Sequence, residues 1–96
     1  MAVGDVKAGI SAIAQNQFLD IKPAAGEEWN LRAIFYEDWI SIEFYDNSKS
    51  LIFEASINEP SKIYYCHIDM TNVHRVRVKN NAEDTRNIGY AARQIK

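Results

Sequence analysis

The chain has 96 residues, is 47% apolar and carries a formal net charge of −2. That length bounds it to one packed domain, the apolar content excludes disorder, and the charge argues against a nucleic-acid-binding body, which wants a basic face. Cys66 is the only cysteine, which excludes an internal disulfide, and no apolar run approaches the roughly 20 residues that cross a bilayer.

A chain of this size buries only about 60–65% of its unfolded surface. Oligomerisation or docking would add margin by mass action. No basic region followed by an apolar run opens the sequence, so no leader is expected and the cytosol is the default compartment.

Residues 1–5 are small and polar and read as a terminal arm. Residues 6–14 (VKAGISAIA) fit two periods. Val6, Ala8, Ile10 and Ala12 alternate as in a strand, whereas Val6, Ile10, Ile13 and Ala14 fit a helix that Asp5 would cap. Gly9 weakens the helix by about 1 kcal/mol relative to alanine, which favours the extended form. Gln15, Asn16 and Gln17 turn into FLDI, where Leu19 and Ile21 bracket Asp20. Pro23-Ala24-Ala25-Gly26 breaks that strand, because proline lacks a ladder donor and glycine accepts φ > 0.

From residue 29 the sequence WNLRAIFYE alternates, with Trp29, Leu31, Ala33 and Phe35 expected inward. Glu37 and Asp38 turn. Ile40, Ile42 and Phe44 then share one face, with Ser41, Glu43 and Tyr45 on the other. The run DNSKS at 46–50 is all turn formers, as in a hairpin loop. Leu51, Phe53 and Ala55 share a face of the next strand, and Asn58, Glu59, Pro60 and Ser61 form a polar connection. Ile63, Tyr65 and His67 oppose Tyr64, Cys66 and Ile68. His74, Val76 and Val78 oppose Arg75, Arg77 and Lys79. Ile88, Tyr90 and Ala92 share one face of the last strand. About eight short strands with a turn every 8–12 residues predict an all-β, single-domain sandwich over residues 1–96, with a jelly roll or small barrel as its variants.

Few constellations carry chemistry. His67, Asp69 and His74 offer metal-ligand types, but their spacing matches no metal motif and turn-flanking polar residues are the stronger reading. Cys66 sits beside His67, yet adjacent strand residues face opposite ways, so a role as a buried small apolar residue outweighs a nucleophile. The acidic pairs Glu27-Glu28, Glu37-Asp38 and Glu83-Asp84 fall in turns and read as solvated. Arg75, Arg77 and Lys79 form the one local basic strip, suited to phosphate, to acidic side chains of a partner, or simply to solvent. Trp29 is in phase with Leu31 and reads as core. Trp39 directly follows a turn and is the better candidate for exposure, as a sugar platform or an interface anchor.

Taken together in order, LDIKPAAGEEW at 19–29, IEFYDNS at 42–48, VRVKN at 76–80 and NIGY at 87–90 resemble small all-β proteins encoded among the structural genes of tailed bacteriophages. The resemblance implies a non-enzymatic virion component with a β-sandwich, jelly-roll-like fold. It implies first a capsid decoration (cement) protein made in the host cytoplasm and placed on the capsid surface. Its expected partner is the major capsid protein, and its expected assembly is a homotrimer. It brings no catalytic residue, cofactor, metal, membrane or specific nucleic acid. Residues 1–14 are then an N-terminal arm able to add a strand to a neighbour's sheet. Glu27, Glu28, Trp39, Arg75, Arg77 and Lys79 are the expected partner contacts. The alternative is a carbohydrate-binding, head-fibre or tail accessory module, and exposure of Trp39 separates the two.

Overall fold

The chain is one long hairpin rolled up on itself. In a computed structural model, residues 3–57 and 60–96 are described. They form eight strands: β1 (Val6–Ile13), β2 (Phe18–Ile21), β3 (Trp29–Tyr36), β4 (Ile40–Tyr45), β5 (Ser50–Ser56), β6 (Lys62–Met70), β7 (Arg75–Asn80) and β8 (Arg86–Gln94). β1 pairs β8, β2 pairs β7, β3 pairs β6 and β4 pairs β5, all antiparallel. The tip is the β4–β5 loop, where Asp46 accepts the backbone N–H groups of Ser48 and Lys49 and Asn47 takes φ 75°. Rolling adds the β3–β8 and β4–β7 ladders. The result is two four-stranded sheets, β1-β8-β3-β6 and β2-β7-β4-β5, which is the strand order of a jelly roll.

The core lies between the sheets. Ile21, Leu31, Ile34, Ile40, Ile42, Met70, Val76, Val78 and Ile88 are buried there. Each such side chain stabilises the fold by about 1.5–3 kcal/mol through removal from water. The expected inward sets of β4, β7 and β8 hold, except that His74 lies before β7 at the surface, stacked on Phe44. At the Pro23–Gly26 joint, Pro23 is buried, Gly26 takes φ 83° and the Glu27 N–H donates to Ala24.

Three expectations change. In β3 the register slips between Leu31 and Ala33, and relative to β8 the extra residue is Arg32. The bulge reverses the alternation beyond it, so Trp29, Leu31, Ile34 and Tyr36 face the core while Ala33 and Phe35 face out. In β5 a shift between Ile42 and Glu43 of the partner strand makes Phe53 the extra residue; it packs on the core while Leu51 and Ala55 are exposed. Finally, Val6–Ile13 is no free arm. It is extended, as favoured, but fully laddered to β8 as an edge strand. Met1 and Ala2 of the expected arm, and Asn58 and Glu59 of the polar connection, lie outside the described residues.

Candidate interaction face

The two outer faces of the sandwich differ in kind. The outer face of β2-β7-β4-β5 carries the basic strip, and its two arginines are already paired with carboxylates within the chain. Arg75 is buried; its Nε and Nη2 donate to the two carboxylate oxygens of Asp20 at 2.7 and 3.1 Å, and its Nη1 donates to Asn47 Oδ1 at 2.6 Å. The hydrogen bonds to Asp20 hold the guanidinium above its ordinary pKa. Arg77 donates to Glu43 at 2.8 Å and is held between two rings, its Cζ 4.1 Å from the Phe18 centroid and 3.8 Å from that of Tyr45. Lys79 lies 5.9 Å over Phe18. Cross-strand register explains the arrangement: Arg77 is opposite Asp20 on one side and Glu43 on the other. Arg75 and Arg77 therefore act as a structural brace joining β2, β7 and β4, and Lys79 is the member of the strip without a carboxylate partner among the described residues.

Glu27 and Glu28 are likewise engaged at home. Glu27 accepts the indole N–H of Trp29 at 3.0 Å, and Glu28 lies 3.6 Å from the Lys96 ammonium while its backbone bonds the chain end. Trp29 is core, as expected, stacked on Tyr90 beneath the Lys7 ammonium. His67 and Asp69 share the outer face of β6, where Asp69 accepts from Asn30 at 2.8 Å. His74 lies on the other sheet's side against Phe44, so the trio does not assemble; among the described residues no three metal-ligating side chains converge. Cys66 points inward beside the core, its thiol donating to the Leu31 carbonyl, and burial pushes its pKa up, away from nucleophile chemistry. Trp39 is exposed, as expected, at 40%.

The outer face of β1-β8-β3-β6 is apolar instead. Val6, Ala8, Ile10 and Ala12 lie on it from β1, Gly89 and Ala91 from β8, Ala33 and Phe35 from β3, and Ile63 and Tyr65 from β6. Ile10 is 75% exposed and Tyr65 76%. Small residues floor the middle and larger ones stand at either side, which shapes two adjoining depressions of about 520 and 570 Å³ around Ile10 and Phe35. Gly89 belongs to this floor by necessity: a Cβ there would lie 2.8 Å from the Gly9 carbonyl oxygen. Charged groups (Arg32, Asp69 and Arg93 at one end, Glu37 and Lys62 at the other) stay at the margins. Monomeric proteins rarely leave such a continuous patch open.

The sequence reading put no site here. The signal was present in the alternating apolar sets Val6, Ala8, Ile10 and Ala12 of β1 and Ile63 with Tyr65 of β6. An alternating apolar set reads as the core-facing side of its strand until the sheets are ordered.

Neither a scan of known protein families nor a search of curated proteins finds a match to this chain. The fold and its surface define the class: an eight-stranded all-β jelly-roll sandwich with one face braced by arginine–carboxylate pairs and one apolar face.

Proposed function

We propose that this protein is a non-enzymatic assembly subunit, a decoration (cement) protein of a tailed-phage capsid, whose copies cover one another's β1-β8-β3-β6 faces in a homotrimer. The apolar outer face of that sheet carries the reading. The sequence resemblance supplies the virion setting and the trimeric state. Four strands at about 4.8 Å spacing and eight residues at about 3.3 Å rise make a footprint of about 500 Å². Around a three-fold axis each face is shared between its two neighbours, so three copies together cover about 1,500 Å², within the range of specific interfaces. The absence of central charges means that copies meet without like-charge repulsion. Three copies holding three lattice points together would bind an assembled shell through avidity while binding free capsid subunits weakly, and so stabilise the shell by mass action.

Sedimentation of the purified chain, followed by co-sedimentation with empty shells of the cognate major capsid protein, tests this. The expected mass is three chains, falling to one in Ile10→Asp and in Tyr65→Asp, with only the trimer pelleting with shells. A wild-type monomer at high concentration would sink the assembly reading. A trimer that ignores shells but is found in fibres or tails would move the protein to the accessory role.

A further inference from the structure

A second feature lies at one end of the sandwich and is independent of the apolar face. Among the described residues, positive φ occurs at Gly4, Gly26, Asn16, Asn47 and Trp39. Four of these are the residue types that the left-handed region favours. Trp39, at φ 58°, is the exception: a bulky side chain there is an outlier that the turn itself does not ask for. Glycine or asparagine would serve the backbone better, so the indole is held at this place for what it does.

The Trp39 carbonyl accepts the Asn81 N–H at 2.7 Å, which fixes the β3–β4 turn against the β7–β8 loop. Between them lies a cleft of about 380 Å³ lined by Trp39, Asn81, Ala82, Glu83, Asp84 and Arg86. Its volume is at the small end of the range of about 300–1,000 Å³ for small-molecule sites. The floor is rigid. Buried Asn80 donates to the carbonyls of Ile13 and Asp84 and accepts the Ala82 N–H, each at 2.8 Å. Arg86 is fixed by Asp38 at 3.0 Å.

The groups at the mouth are not used by the fold. Unlike the Trp29 indole, which donates to Glu27, the Trp39 indole N–H has no acceptor among the described residues. The Glu83 and Asp84 carboxylates are exposed and likewise have no partner there. One flat apolar ring beside two free acceptors is a pattern that suits a pyranose: a C–H face lies on the indole and hydroxyls donate to the carboxylates. Charge narrows the choice further. Glu83 and Asp84 repel an anionic ligand, and Arg86, the one cation lining the cleft, is already held by Asp38 and does not offset them.

We propose that the Trp39 cleft binds one or two rings of a neutral sugar at the end of the sandwich, leaving the apolar sheet face free for assembly.

The test is saturation-transfer NMR with tryptophan fluorescence on the purified full chain, using the methyl pyranosides of glucose, galactose, mannose, N-acetylglucosamine and N-acetylgalactosamine. Because Trp29 is buried, fluorescence change reports Trp39. Binding to at least one of these in the millimolar range is expected. Trp39→Gly, which suits the backbone, should weaken it at least tenfold, as should the exposed pair Glu83→Gln with Asp84→Asn. The sedimentation mass should be unchanged in both. The proposal is overturned if none of the five binds, if sialic acid or choline binds in preference, if Trp39→Gly binds as wild type, or if Trp39→Gly changes the mass. The last result would make the indole an assembly contact.

Discussion

Arg75 in β7 grips both carboxylate oxygens of Asp20, which lies diagonally across from it on the edge strand β2, with contacts of 2.7 and 3.1 Å. The same guanidinium reaches Asn47 in the β4–β5 loop and the carbonyls of Asn72 and Val73, and it stacks 4.9 Å over Tyr45. One buried cation thus ties a four-residue edge strand and the hairpin tip to the middle of the sheet. Only a planar fork can make this set of bonds.

Removing the acid should therefore cost stability even though it lies partly in water. Asp20→Asn is expected to lower unfolding free energy by about 1–2 kcal/mol, less than for a fully buried pair because the Asp20 side chain is 38% exposed. Arg75→Lys should not be neutral. Urea denaturation of the two single variants and the Asp20→Asn/Arg75→Lys double variant gives the coupling. A coupling near zero would show that the brace is ornamental.

Asn80 offers a second prediction. It has no solvent exposure and closes three hydrogen bonds that anchor the β7–β8 loop and the end of β1. Asn80→Ala leaves two carbonyls and one N–H unpaired, and should cost about 2–4 kcal/mol. Asn80→Asp should also destabilise, since a carboxylate cannot donate to the Ile13 and Asp84 carbonyls. Thermal melts check the size, and faster amide exchange at Ala82 checks the place.

The bulge at Arg32 reverses what alternation expects of two neighbours. Ile34 is fully buried and Phe35 is on the surface. Ile34→Ala should cost about 2–4 kcal/mol, and Phe35→Ser about 1 kcal/mol or less when measured below the concentration at which copies associate. If the order of these two losses were inverted, the β3 register would be wrong.

Burial raises the pKa of two groups, the Tyr36 hydroxyl, with a smaller push from Glu54, and the Cys66 thiol. Each ionises more readily in the unfolded chain than in the folded one. Their contribution is complete below the unfolded thiol value of about 8.5 and is lost as pH rises through the raised folded values. Guanidinium midpoints should thus be flat from about pH 7 to 8 and fall above about pH 8.5. In Cys66→Val the onset should move towards the phenol range, near pH 10. A Cys66→Val profile that superimposes on wild type would remove the thiol from this account.

Most of the fold was readable from local pattern. Ile40, Ile42 and Phe44 alternate cleanly with Ser41, Glu43 and Tyr45, and β4 forms there. The turn formers at 46–50 marked the hairpin tip, and Pro23 with Gly26 marked the β2–β3 joint. These succeed because side-chain period and turn chemistry are properties of neighbouring residues. The β3 bulge escaped because WNLRAIFY is apolar on both faces beyond Ala33, so the residues themselves permit either phase.

The candidate sites divide along the same line. Sequence by itself determined that the chain would be all-β, which residues would turn, that Trp29 would lie inside and that Trp39 would not. It also marked Arg75, Arg77 and Lys79 as one face of one strand. Whether that face was free depended on Asp20 and Glu43, which are 55 and 34 residues away and reach it only through sheet order. The apolar face depended on the same thing. Ile10, Phe35, Ile63 and Tyr65 come from three strands that the chain separates, and only the order β1-β8-β3-β6 puts them side by side with nothing above them among the described residues. Pairing between distant strands is selected by the total burial of the whole sandwich. Tertiary structure therefore decided which charges were already satisfied and which apolar surface was left over.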